Sequence, residues 1–380
     1  MRVCISAAVW LARLTLNVIY GVMKLFPVRR RVCFFSRQGN EPSGDFHLLM
    51  DRLAEECPDT EIVTICYRFE GKKDGLIGFG LATLRSMVYL ATSRVCVLDT
   101  YWPAVSMLRH KKCLKVIQIW HSNGKIKQSG YQTLGHESGR DPHVARMMRM
   151  HQGYDYVIGG GPAWNRFYCE SFGIREEQIC NYGLPRLDWL VGVKPDMEAF
   201  WAKYPHTRGK QIVLFAPTFR EFPVPPPTKL AEQFDPARYE FIYRYHPRQR
   251  FTDDGFKSRC RYNKEDIFEL LKVCDWFITD YSSLALEAAV LDKPTLYYLP
   301  DDERYRAENG VNIDLFEVMP HCSFADEQAL FHLIEQNAYP DGELERYRAE
   351  YLPSQLGTST EKIVLLIKAC LDGKEICDHG

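Results

Sequence analysis

Charge of one sign is scarce in this sequence: 48 Lys and Arg stand against 49 Asp and Glu, leaving a formal charge of −1 over 380 residues. No overall field would gather nucleic acid, and none is expected as a partner. Paired cysteines are also missing. The thirteen cysteines, from Cys4 to Cys377, are odd in number and scattered, with no Cys-x-x-Cys and no histidines at metal spacing. That argues against a disulfide frame or a zinc site and for reduced thiols, most of them small core residues. The sequence shows no internal repeat, no low-complexity tract and no carboxylate cluster suited to a dedicated metal. With 46% hydrophobic and 26% charged residues it is ordinary globular material, long enough for two α/β domains.

Acid is absent from the amino end. Seven basic residues (Arg2, Arg13, Lys24, Arg29, Arg30, Arg31, Arg37) precede the first acid, Glu41. The apolar run Val3–Phe26 is interrupted by Arg13 and Asn17, which makes a spanning helix expensive, and no small-residue cleavage site follows. The expectation is an amphipathic membrane-associating segment over 1–30, with Arg29–Arg31 on anionic headgroups. A helix packed on the protein's own core is the other reading.

From Arg31 strands and helices alternate. Strands are expected at 31–36, 61–67, 94–98, 116–120 and 156–158, with helices over 46–57, 80–91, 141–154 and 164–172. A polar, Pro-bearing stretch at 192–208 reads as the passage between domains. Strands follow at 211–216, 240–245, 276–280 and 295–299. The Pro-rich run 222–228 is expected as a surface loop covering a cleft, and 303–309 as a charged loop. Helices are expected over 326–337, 343–351 and 361–371, the last returning toward the first domain. Alternation of this kind gives mostly parallel sheets, with ligands at the carboxyl ends of strands.

Those ends carry the chemistry. His121, Asn123, Gly124, Lys125 and Lys127 follow an apolar strand; a histidine there can accept a proton at neutral pH, and lysines can hold phosphate. In the second half, three strands each end in phosphate-competent residues: Thr218 and Arg220, His246 and Arg248, Ser282 and Ser283. The turn at Tyr281-Ser282-Ser283 before the helix 284–291 offers N–H groups and hydroxyls to an anion. It reads equally as an ordinary helix start with Ser283 as the cap. The triplet Gly159-Gly160-Gly161 is by itself weak evidence of nucleotide binding.

Taken together, WHSNGKIKQSG at 120–130, YGLPRLDWL at 182–190, FAPTFRE at 215–221, YHPR at 245–248 and ITDYSSLALEAAVLDKPTLYYLPD at 278–301 resemble the bacterial CDP-glycerol glycerophosphotransferases, the teichoic acid primases and polymerases. The resemblance runs from about Arg31 to about Leu371. It implies a glycosyltransferase-B-like α/β fold of two Rossmann-like domains facing across a cleft. The domains implied are 31–192 for the acceptor and catalytic base and 209–352 for the CDP donor, with 353–380 returning to the first. The implied activity is transfer of glycerol phosphate from CDP-glycerol to a hydroxyl of a lipid-linked acceptor, releasing CMP, at the cytoplasmic face of the membrane.

By motif match His121 would be the base and His246 would sit on the diphosphate. Thr218, Arg220, Arg248, Ser282 and Ser283 would hold the donor, and Glu287 would fall where such folds place a ribose-binding acid. Asn123, Lys125 and Lys127 are acceptor or phosphate candidates. No cofactor is expected, and any Mg²⁺ would be loosely bound. The sequence departs from the commonest family pattern, Trp-His-Gly-Thr, in having Ser122-Asn123-Gly124 after His121, closer to primase-like members. CDP-ribitol or another nucleotide-linked donor is the rival among enzymes, and an inactive membrane-bound scaffold is the rival outside them.

Overall fold

The computed structural model describes residues 2–68, 73–136, 139–246, 248–253 and 255–374, with side chains at all of these but 2–9, 73–74 and 76. Pro247 of the YHPR run and Cys377 lie outside the described residues. The chain divides into two compact units, Met1–Trp189 with Leu352–Gly380, and Leu190–Tyr351.

The first unit is built on a six-stranded parallel sheet. Its strands are β1 (Arg31–Ser36), β2 (Glu61–Cys66), β3 (Val95–Leu98), β4 (Lys115–Gln118), β5 (Tyr156–Ile158) and β6 (Ile179–Cys180), in the order β2-β1-β3-β4-β5-β6. Every residue of β1 and β3 is buried, as expected of parallel strands covered on both faces. Helices α1 (Arg2–Met23), α2 (Gly44–Glu56) and α3 (Lys73–Thr92) belong to this unit. The C-terminal helix Ser359–Asp372 closes one face: Ile363, Val364 and Ile367 join Phe46, Leu49 and Leu53 of α2 in one apolar cluster. Asp188 receives the amides of Ser359 and Thr360, which fixes where that helix starts.

The second unit has a five-stranded parallel sheet, β7 (Gln211–Phe215), β8 (Tyr239–Tyr243), β9 (Trp276–Thr279), β10 (Thr295–Tyr298) and β11 (Ser323–Phe324), ordered β11-β10-β9-β7-β8. In both sheets the first strand is flanked by the second on one side and the third on the other. Chain direction across the sheet therefore reverses between β1 and β3, and between β7 and β9. Open α/β sheets place ligands just outside the carboxyl ends of such a pair.

Three elements differ from the sequence expectation. The stretch 192–208 contains the helix Met197–Lys203, whose Met197 and Phe200 pack on the second unit's core with Tyr204, so the second unit begins at Leu190 rather than near 209. The charged segment expected as a loop is the helix Asp302–Asn309. It buries little besides Tyr305 and so carries no apolar period to read. The helix expected over 141–154 stops after Met147, because Arg149 and His151 take left-handed backbone, φ +50° and +58°.

α1 uses two faces. Tyr20 is buried and its hydroxyl meets His110 Nδ1 at 2.8 Å; Asn17 Nδ2 donates to the Met107 carbonyl at 3.1 Å; Arg13 donates to that of Met147 at 3.5 Å. Arg13 and Asn17, which interrupt the apolar run, are thus the residues that hold the helix on its own unit. Leu11, Leu14, Val18 and Val22 of α1 are exposed, and α3 beside it exposes Ile77, Leu81 and Val88. No described helix is long and apolar enough to cross a membrane.

Candidate active site

In the first unit the β1/β3 reversal is bridged by Ser36 Oγ, which donates to Asp99 Oδ2 at 2.8 Å. Burial pushes the Asp99 carboxyl up to about 6. The backbone carbonyl of the same residue lies 3.2 Å from His121 Nδ1. A carbonyl can only accept, so Nδ1 carries the proton and Nε2 keeps its lone pair.

The strand end shapes this loop. Gln118 Oε1 accepts the Trp120 amide at 2.9 Å while its Nε2 donates to the Thr100 carbonyl at 3.1 Å. Trp120 takes φ +60°, rare for a bulky residue, and its ring lies 4.2 Å from that of His121. His121 is exposed, yet desolvation by surrounding protein and the charges of Lys125, Arg186 and Lys127 push its pKa down to about 4. The imidazole is therefore neutral at pH 7, as a base requires.

The three neighbours named from sequence sit differently from one another. Asn123 is buried and accepts the Leu184 amide at 2.8 Å, tying the loop to the YGLPRLD segment. Lys125, expected as a phosphate ligand, is instead buried among Trp120, Tyr168 and Phe172, its Nζ 4.7, 5.2 and 4.2 Å from their ring centres and 2.6 Å from Ser129 Oγ. Desolvation holds its pKa well below the ordinary lysine value. Lys127 is exposed. The Gly triplet lets this loop pack closely: a Cβ on Gly160 would fall 1.9 Å from the Asn123 carbonyl oxygen.

Two residues given no role from sequence are joined to each other in this unit. Asp45, buried in the first turn of α2, receives the amide of Arg186 at 2.8 Å and pairs with its guanidinium. Arg186 in turn acts on His121 electrostatically. A lone Asp and Arg 141 positions apart leave no sequence signal for this pair.

In the second unit Asp280 stands at the β7/β9 reversal as Asp99 does at β1/β3. Its Oδ1 accepts the Thr218 amide at 2.8 Å, and its Oδ2 is 2.9 Å from Arg220 Nη1. Arg220 also grips Asp301 at 2.8 and 3.0 Å and donates to the Thr218 carbonyl at 3.0 Å. Three of its five N–H donors are hydrogen-bonded inside the fold, and Nη1 also ion-pairs with Asp280. The expectation that Arg220 chiefly holds phosphate is corrected: it is a buried strut joining the ends of β7, β9 and β10.

A cavity of about 500 Å³ opens beside this strut, lined by Thr218, Arg220, His246, Asp280, Asp301 and Arg304, with apolar walls from Phe215, Tyr243 and the Pro225–Pro227 run. Thr218 Oγ1 is buried with no hydrogen-bond partner among the described residues. An orphaned hydroxyl is costly unless a ligand meets it. His246 and Arg248 are exposed and flank the Phe219 ring, at 5.1 Å between ring centres and 4.9 Å from the guanidinium carbon.

Ser282, Ser283 and Glu287 do not line this cavity. Ser282 Oγ accepts the Leu284 amide at 3.3 Å, whereas Ser283, at the cap position, makes no side-chain cap bond. Glu287 is 2% exposed and interacts with Tyr347, so the structure turns it inward rather than toward a ribose. Among the described residues no group of three or more His, Cys, Asp or Glu is arranged to hold a metal ion.

Two parallel sheets, each with a polar bridge at its reversal point, one beside His121 and one beside a cavity at the strand ends, make an α/β fold of the glycosyltransferase-B-like class. The fold matches the wall teichoic acid polymerase TagF at TM-score 0.72 and 16% identity, covering 97% of this chain and 98% of that one. It also matches the UDP-GlcNAc 2-epimerase of Methanocaldococcus jannaschii at TM-score 0.53 and 14% identity, covering 89% of this chain and 99% of that one.

The sequence model of the CDP-glycerol:poly(glycerophosphate) glycerophosphotransferase family matches residues 20–369. The chain belongs to that family, whose members transfer glycerol or ribitol phosphate from a CDP-alcohol in teichoic acid synthesis. It is 27% identical to a teichoic acid ribitol-phosphate primase of Bacillus spizizenii, covering 91% of this chain and 93% of the relative. It is 26% identical to a poly(ribitol-phosphate) polymerase of the same organism, covering 57% of that longer protein. Against a glycerol-phosphate primase of Bacillus subtilis it is 26% identical, over 66% of this chain and 68% of the relative.

Proposed function

We propose that this chain transfers glycerol phosphate from CDP-glycerol to a hydroxyl of a lipid-linked acceptor, releasing CMP, while resting on the cytoplasmic face of a bacterial membrane. The observation that carries this reading is His121, held with Nε2 free of a proton by the Asp99 carbonyl. In the reaction the acceptor oxygen attacks the β-phosphorus and its proton passes to Nε2. The new P–O bond forms as the bond to the CMP oxygen breaks, and CMP leaves with the electron pair. A positioned base contributes roughly 10²–10⁴ in rate.

The donor belongs in the second-unit cavity. Thr218 and the exposed His246 are the lining groups available to diphosphate oxygens there, with Arg248 nearby over the Phe219 ring, and the proline and aromatic walls suit a nucleobase. A TagF variant has been soaked with CDPG, which supports a CDP-alcohol site on this fold. Lys127 is the acceptor-side cation.

A second donor, CDP-ribitol, is favoured by one observation: the relative covered across 93% of its length is a ribitol-phosphate primase. CMP release from CDP-glycerol, CDP-ribitol and UDP-sugars with a lipid acceptor separates the readings. Release from CDP-glycerol alone supports the first, from CDP-ribitol alone the second, and from none with folded protein an inactive scaffold.

A further inference from the structure

We infer that the first unit carries a binding site for the headgroup of an anionic phospholipid, formed by Arg13, Lys24, Arg109 and Arg149 around a cavity beside α1. The inference rests on the membrane-surface reading above and names what that surface recognises. The cavity, about 440 Å³, is lined by these four cations with Trp10, Leu14, Asn17, Val18 and Met107, and by no carboxylate.

Three observations carry it. First, among the described residues none of the four cations makes an ion pair. This is not for want of acids nearby in sequence: Arg29–Arg31, the triplet that looks made for headgroups, is committed internally. Arg31 pairs with Glu61 at 2.8 Å, Arg30 with Asp59 at 3.0 Å and Asp372 at 2.8 Å, and Arg29 lies 3.9 Å from Glu61. Four cations gathered without a counter-charge, in a chain whose charges balance, repel one another until an anion enters.

Second, three of the four cations are held in place. Lys24 Nζ donates to the Arg109 carbonyl at 3.0 Å, Arg149 Nε to Gln152 Oε1 at 2.8 Å, and Arg13 to the Met147 carbonyl at 3.5 Å. Each bond uses one donor and leaves others for phosphate oxygens. The left-handed backbone of Arg149, φ +50°, is a conformation that non-glycine residues keep only when the surroundings enforce it.

Third, the cavity is continuous with apolar surface. Leu14 and Val18, which line it, are 48% and 62% exposed, and Leu11 and Val22 extend the same stripe at helical spacing. A soluble phosphate has no use for such a wall, whereas a lipid sets its phosphate on the cations and its chain along the stripe. A neighbouring cavity lined by Arg109, Lys111, Lys112, Lys115 and Arg149, with Asp155 paired to Lys115, extends the positive rim.

The test is partition of the full chain onto vesicles of phosphatidylcholine alone and of phosphatidylcholine with 30% phosphatidylglycerol, at fixed salt. Wild type is expected to prefer the anionic vesicles. Because each cation near an anionic surface is worth about fivefold in partition, Lys24→Gln/Arg109→Gln/Arg149→Gln should lose roughly a hundredfold of that preference. Arg109→Lys/Arg149→Lys, which keeps the charges, should retain most of it. Equal binding of wild type to both vesicles would overturn the headgroup site while leaving the membrane reading intact; binding to neither would remove both. Protection of the site by millimolar inorganic phosphate as effective as that by short-chain phosphatidylglycerol would overturn the lipid assignment. So would a triple variant that keeps its anionic preference but needs more lipid-linked acceptor, since that reassigns the cavity to the acceptor.

Discussion

His121 Nδ1 sits 3.2 Å from the backbone carbonyl of Asp99, whose own carboxylate is bridged by Ser36 across the strand pair where the sheet reverses. The backbone, not a side chain, therefore sets the tautomer, and substitutions of the Asp99 side chain act on the imidazole only through its surroundings. Asp99→Asn, which keeps an acceptor for Ser36 Oγ, is expected to retain most turnover. Loss as complete as that of a His121 variant would mean the carboxylate itself takes part.

The pH profile follows from the charges around His121. A base must be neutral, so kcat/KM falls as pH drops through its pKa in the free enzyme. Because Lys125, Arg186 and Lys127 join desolvation in lowering that pKa to about 4, the acid limb should lie below the ordinary histidine value of about 6.5. Lys127→Gln removes one exposed charge and should move the limb to higher pH. A limb that stays fixed would detach Lys127 from His121.

Arg220 is a stability element first. Removing it leaves Asp280, 1% exposed, as an uncompensated buried carboxylate, and Arg220→Ala should cost about 3–5 kcal/mol. Chemical denaturation of the full chain reads this directly. Arg220→Lys should recover little, because the bidentate grip on Asp301 needs the guanidinium fork.

Membrane association should depend on the outward face of α1 and not on its mere presence. Leu14→Glu/Val18→Glu is expected to abolish vesicle pelleting with an unchanged melting temperature. Deleting the first 26 residues would lower stability as well, because it removes Tyr20 and the Asn17 bond to Met107. Pelleting unchanged by the double substitution would remove α1 from the membrane surface.

Much of this was legible in the chain because buried parallel strands are unbroken apolar runs: RVCFFS, VCVL and QIVLF each announce themselves. β6 and β11, two residues each, are too short to show a period, and the helix Asp302–Asn309 has almost no apolar side to show. His121 was readable from its company of Gly and Lys after a strand. What those neighbours do was not, since burying Lys125 under Trp120 and turning Glu287 inward are decisions of tertiary packing. Asp45 with Arg186, and Asp280 with Arg220, are joined only when distant segments meet at a sheet edge. The sequence also hid that Arg29–Arg31 is matched by Glu61, Asp59 and Asp372.

The most direct test is CMP release by His121→Ala with CDP-glycerol and a lipid-linked acceptor, set beside donor affinity measured by calorimetry. The account predicts turnover lower by roughly 10²–10⁴ with donor affinity within about threefold of wild type. Turnover within tenfold of wild type, or donor affinity lost together with turnover, would contradict the assignment of His121 as the base.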